Sequence, residues 1–116
     1  MKTNVKIHLK DGEIEMQCAY IAMNDSIINV KESLSKESKV FLFDCKHSYL
    51  QTQFNLTNTN SLWLITFDEK KEFVTVIPHF HRTNAPYSIV IREPYVLILD
   101  GDIKLKFEDI TRIELN

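Results

Sequence analysis

Residues Ser61–Ile77 read SLWLITFDEKKEFVTVI, an apolar run, a charged run and a second apolar run. Side chains of a strand alternate between its faces, so Leu62, Leu64 and Thr66 share one face and Trp63, Ile65 and Phe67 the other. A strand apolar on both faces is one covered on both, which places this first arm at the expected centre of the fold. The charged run Asp68–Glu72 is then the solvated tip of a hairpin. In the second arm Phe73, Thr75 and Ile77 fall on one face, Val74 and Val76 on the other, and the chain runs directly into Pro78. Proline offers no amide hydrogen to a ladder, so this arm is expected to end, bulge or lie along an edge there.

Upstream, Val5–Lys10 (VKIHLK) alternates with Val5, Ile7 and Leu9 on one side. Asp11-Gly12 is a strong hairpin signal, because a type I′ turn requires positive φ at both central residues. Glu13–Met23 carries Ile14, Met16, Cys18 and Tyr20 on one face, Asn24-Asp25 turns the chain, and Ser26–Lys31 follows as a third strand. The first 31 residues therefore predict a three-stranded meander. Glu32–Lys39 is polar and predicts a loop or a single helical turn, and Val40–Cys45 (VFLFDC) is again apolar on both faces. A strand within HSYLQTQF and a polar loop at NLTNTN complete this half, since Asn and Thr side chains favour local backbone hydrogen bonds.

Downstream, Thr83–Pro86 predicts a turn, and Tyr87–Arg92, Tyr95–Leu99, Ile103–Phe107 and Ile110–Leu115 predict strands. The two glycines both sit in Asp-Gly pairs. About nine or ten short strands between turn signals, with no useful 3.6-residue period, predict an all-β fold. The expected architecture is a single antiparallel β-barrel or sandwich with little or no helix, one domain spanning residues 1–116.

A hydrophobic fraction of 44% and a charged fraction of 26% are ordinary for a globular domain and too apolar for disorder. The net charge of −2 argues against binding nucleic acid non-specifically, which relies on clustered cations. The start, MKTNVKIHLKDG, lacks the apolar core of a signal peptide, and no apolar run approaches the ~18–20 residues of a membrane span. A cytoplasmic location is therefore expected, with Cys18 and Cys45 as free, buried thiols.

Neither a P-loop, a G-x-S-x-G elbow, an H-E-x-x-H pair nor paired C-x-x-C is present, so the expected protein is not an enzyme and carries no cofactor. The sharpest local pattern is His79-Phe80-His81. Two imidazoles on one face of a strand suit two ligands of one Zn²⁺ or Fe²⁺, with His8, His47, Cys45 or Asp44 as candidate third ligands. The simpler expectation is an edge strand with two solvent-facing histidines around a buried Phe80. Cys45-Lys46-His47 places a thiol near a base, but Cys45 ends an apolar strand and reads as structural. The carboxylate pairs Asp100/Asp102 and Glu108/Asp109 lie in turns, where aspartate serves the backbone. The residues expected at a partner-binding surface are His79, His81, Arg82 and Tyr87, polar or amphipathic positions that follow the break at Pro78.

VKIHLKDGEIEMQCAYIAMNDSIINVK resembles the opening strand, turn, long bent second strand and third strand of small SH3-like or Sm-like barrels. DGDIKLKFEDITRIEL resembles their closing strand, one-turn connection and final strand. The resemblance implies a small barrel. It does not extend to Ser33–Leu99, and the Sm-type residues that contact RNA bases have no counterpart. With eight Asn, thirteen Ile and eleven Lys to three Arg, the composition resembles orphan β proteins of phages and mobile elements in low-GC bacteria. That type implies a non-enzymatic module acting by protein–protein binding, as an accessory or inhibitor of a host defence protein, with self-association through a strand edge as a variant. The alternatives are a small-ligand or metal-binding barrel using the His79/His81 face, and a nucleic-acid-binding module that stacks bases on aromatic side chains.

Overall fold

The computed structural model describes residues 2–34, 38–48, 50, 52–80 and 84–115. Ten strands are described: β1 (Lys2–Leu9), β2 (Gly12–Ala22), β3 (Ile27–Asn29), β4 (Val40–Asp44), β5 (Gln53–Asn55), β6 (Leu62–Phe67), β7 (Phe73–His79), β8 (Ser88–Val90), β9 (Tyr95–Asp100) and β10 (Ile110–Leu115). A single helical turn, α1 (Val30–Ser33), follows β3, and a 3₁₀ turn over Phe107–Asp109 precedes β10. Seven strands form a curled sheet in the order β10-β1-β2-β4-β9-β6-β7, and the other three form a small sheet in the order β3-β5-β8. The fold is all-β, a half-barrel with a small sheet laid against it.

Alternation along the strands assigns their side chains to two cores. From β4, Val40 and Leu42 enter the core inside the curl, while Phe41 and Phe43 enter the core beneath the small sheet. In β9, Leu97 and Leu99 go inward and Val96 and Ile98 go outward, and β6 divides Ile65 and Phe67 from Leu62 and Leu64 in the same way. Ile28 of β3, Phe54 of β5 and Ile89 of β8 lie opposite one another and close the outer core. Phe43 and Phe54 meet edge to face, their centroids 5.7 Å apart, an arrangement that aromatic quadrupoles favour. Cys18 lies in the inner core and Cys45 in the outer one, and both are buried free thiols. No helix among the described residues is long and apolar enough to cross a membrane.

Several local expectations are corrected. The strand covered on both faces is indeed β6, but the middle of the sheet belongs to β4, and β6 stands one strand from the edge. The opening meander stops after two strands. β3 leaves for the small sheet, and the upper half of the long β2 pairs in parallel with β4 through Ala19–Ala22. β3 also pairs in parallel with β5, so both sheets are mixed. The first hairpin turns at Lys10-Asp11, with Leu9 opposite Gly12 and neither tip residue nor any glycine at positive φ. Gly12 therefore opens β2 and does not supply the turn. Ile103–Phe107 forms no ladder despite its alternation. Ile103, Leu105 and Phe107 pack on the inner core while Lys104 and Lys106 face solvent, so burial alone explains the pattern.

The Asp68–Glu72 tip is as expected. Asp68 Oδ1 accepts hydrogen bonds from the amides of Lys70 and Glu72, each at 2.9 Å, and Lys71 takes a left-handed backbone (φ 64°). A bulge follows in which Val74 has no opposite residue. Phe73 thereby joins the inner core, whereas Ile77 joins the outer one, separating residues that simple alternation had grouped.

Candidate functional site

The end of β7 and the start of β8 hold the described residues of the expected surface. Pro78 lies opposite Trp63 within β7, on the side of an edge strand, so the ladder runs past it to His79 opposite Leu62. Alternation then fixes the side chains that follow. His79 continues the outward face of Ile77 and is only 6% exposed, while Phe80 is 48% exposed. The expected arrangement of exposed histidine around buried phenylalanine is thus inverted at these two residues. The Phe80 ring meets Trp63 edge to face at 4.7 Å, and Trp63 in turn lies against Phe107 at 4.2 Å. His81 and Arg82 lie outside the described residues.

Tyr87 stacks on His79, with 5.4 Å between the ring centroids and 25° between the planes. It is 44% exposed, so one ring face covers the imidazole and the rest meets solvent. Its carbonyl accepts from the Leu56 amide at 2.8 Å, and its amide donates to Thr57 Oγ1 at 3.0 Å. These bonds anchor the first residue before β8.

The expected third metal ligands do not converge on His79. His79 and Asp44 belong to opposite ends of the sheet, since Leu62 faces Asp100 whereas Asp44 faces Tyr95, which faces Phe67. Five residues of strand separate these ends, roughly 17 Å. His8 is held on the other side, its Nε2 2.6 Å from Glu114 Oε1 and its Nδ1 3.7 Å from Glu13 Oε2. Among the described residues no three His, Cys, Asp or Glu side chains are grouped for a metal.

Asp44 is a buried carboxylate, 4% exposed, that sequence reasoning did not single out beyond metal ligation. It accepts a hydrogen bond from the Tyr20 hydroxyl and one from the Lys46 amide at 3.2 Å, with the Lys46 ammonium 3.6 Å away. Burial, and then the bond to and charge of Asp44, push the Tyr20 phenol upward. The cluster is paired on every side and ties β2 to β4. The Cys45 thiol is pushed up to about 12 by burial and by Asp44, the opposite of what a nucleophile needs. Burial pushes Cys18 to about 11. The other carboxylate pairs serve turns: Asp100 Oδ1 accepts the Asp102 amide at 2.9 Å, and Glu108 and Asp109 fall in the 3₁₀ turn.

The edge of β8 is the feature the sequence concealed. Thr52 faces Ile91 and Leu56 faces Tyr87 through hydrogen bonds, with Phe54 opposite Ile89 between them. Hydrogen-bonded and non-hydrogen-bonded pairs alternate in an antiparallel ladder, so the amides and carbonyls of Ser88 and Val90 point away from β5. Among the described residues no strand pairs with that side. Ser-Ile-Val carries no charge and no proline, and Val90 is 54% exposed.

No protein-family model and no curated protein matches the chain. Two crystal structures share its fold. One is a protein of unknown function from Novosphingobium aromaticivorans, with a TM-score of 0.66 and 13% identity over 96% of this chain and 83% of that one. The other is described as a putative transcription regulator from Sinorhizobium meliloti, with a TM-score of 0.61 and 15% identity over 99% of this chain and 94% of that one.

Proposed function

We propose that this protein is a non-enzymatic binding module that takes up an extended segment of another protein along the outer edge of β8. The observation that carries the reading is the exposed, uncharged Ser88–Val90 edge, bordered by Tyr87 and Val90 as apolar contacts. Strand addition of this kind draws affinity from main-chain hydrogen bonds and specificity from alternate side chains. Natural sheets protect edges that are not meant to pair, with charge, proline or a covering element, and β8 has none of these among the described residues. The paired Asp44 and the raised thiols favour binding over catalysis.

For a protein of this composition, the physiological form would be an accessory or inhibitor that holds a host protein. If the regulator description of the Sinorhizobium meliloti protein extends to this chain, the net charge of −2 favours action through protein contact over contact with DNA. The test is affinity capture from the native host with the wild-type protein and with Val90→Lys. A protein retained by the first and lost by the second supports the reading. Capture that is indifferent to the substitution, or no partner for a chain that light scattering finds monomeric, overturns it.

A further inference from the structure

Where α1 and the β5–β6 loop meet the ends of β4 and β6, a cleft of about 470 Å³ opens. Phe41 and Leu62, each 4% exposed, form its apolar floor, and Leu34 lines it from the residue after α1. Lys31, Lys39 and Asn58 are among the residues that line it. Asp100, the one carboxylate among the described lining residues, accepts the Asp102 amide, and against its single charge stand the two lysines. Lys39 reaches Asp102 only at 3.9 Å with both side chains largely exposed, 66% and 83%. Such a pair contributes little, so Lys39 can exchange it for another anion at small cost.

Ligand sites in small domains combine an apolar wall with a few placed polar groups. We propose that this cleft binds a small anionic ligand with a flat apolar body. The body lies on Phe41 and Leu62, and its carboxylate, sulfonate or phosphate lies between Lys31 and Lys39. The site is distinct from the β8 edge and does not depend on strand addition there.

The probe is 8-anilinonaphthalene-1-sulfonate, an apolar ring system bearing one anion, titrated into the intact protein at low salt and followed by fluorescence. The expected result is saturable binding of one dye per chain, weakened about tenfold by Lys31→Glu with Lys39→Glu, because a charge-assisted contact becomes a repulsive one. The milder pair Lys31→Gln and Lys39→Gln, which leaves no new charge against the core, is expected to weaken it several-fold. Lys104→Glu with Lys106→Glu and the single change Phe80→Ala are expected to leave binding as in the wild type. Absence of saturable binding overturns the proposal, as does an affinity within about twofold of wild type in the Gln pair or an equal loss in either control.

Discussion

At β7 and β10 the large sheet covers its own edges, whereas among the described residues nothing pairs with the outer side of β8 in the small sheet. The backbones of Glu72 and Arg112 form an isolated antiparallel bridge, and the Ile113 amide donates to the Lys71 carbonyl at 3.0 Å, so the curl is drawn together at that end. Farther along β7, Pro78 removes a donor from the edge. On β10 the exposed face carries Arg112 and Glu114, 3.1 Å apart. The short β8 is treated differently: three uncharged residues, an outward row of amides and carbonyls, and exposed apolar neighbours. Exposed edges are templates for further pairing. Among the described residues the large sheet blunts both of its edges while β8 is left bare, which points to β8 as a place of contact. β3, the other edge of the small sheet, runs straight into α1.

The contrast assumes that the small sheet is rooted on the large one and presents β8 as a fixed edge. Phe54→Ala is the severest test, since it removes a fully buried ring from the outer core and its contact with Phe43. A loss of about 3–5 kcal/mol in a single cooperative transition is expected by chemical denaturation. Two separate transitions would show that the small sheet melts by itself. Gly101→Ala comes next. The Gly101 amide donates to the Ser61 carbonyl at 2.9 Å, and an added Cβ would lie 2.8 Å from Ser61 Cβ and 2.9 Å from that oxygen. A loss of about 1–3 kcal/mol is expected, and an unchanged midpoint would deny this close approach.

Val90→Lys is expected to alter stability by less than about 0.5 kcal/mol, because the side chain is exposed and its backbone does not bond β5. A large loss would mean that the β8 edge is covered. The smallest effect belongs to the closed side. The Glu114 carboxyl is held below the usual glutamate range, first by its bond to His8 and then by Arg112. A depressed acid adds stability above its unfolded-state pKa, and that stability is lost as pH falls through the folded value. Glu114→Gln should therefore lower the thermal midpoint slightly at neutral pH and converge with wild type in acid below the usual glutamate range.

Much of the large sheet could be read from sequence, because its signal is local. Apolar residues on both faces of β4 and β6 announced strands covered on both sides, Tyr95–Leu99 was legible as a strand, and the Asp68–Glu72 tip followed from its composition. The small sheet was hidden for the converse reason. Its strands are three residues long, and the parallel pairing of Ile27–Asn29 with Gln53–Asn55 joins segments with no shared turn to mark them. Ile103–Phe107 misled because docking on a core produces the same alternation as a ladder. At Pro78 the edge position kept the strand going, so His79 inherited the buried face and Phe80 the exposed one. Tyr87 belonged to the expected surface and does border the β8 edge, but the direction of the Ser88 and Val90 amides follows only from their pairing with β5.

The most direct test is residue-resolved amide hydrogen exchange on the monomer. Ile89 and Ile91, bonded to β5, should exchange slowly, and Ser88 and Val90 should exchange close to the rate of an unprotected chain. Slow exchange at Ser88 and Val90 equal to that of Ile89 would contradict the open edge and with it the proposed mode of binding.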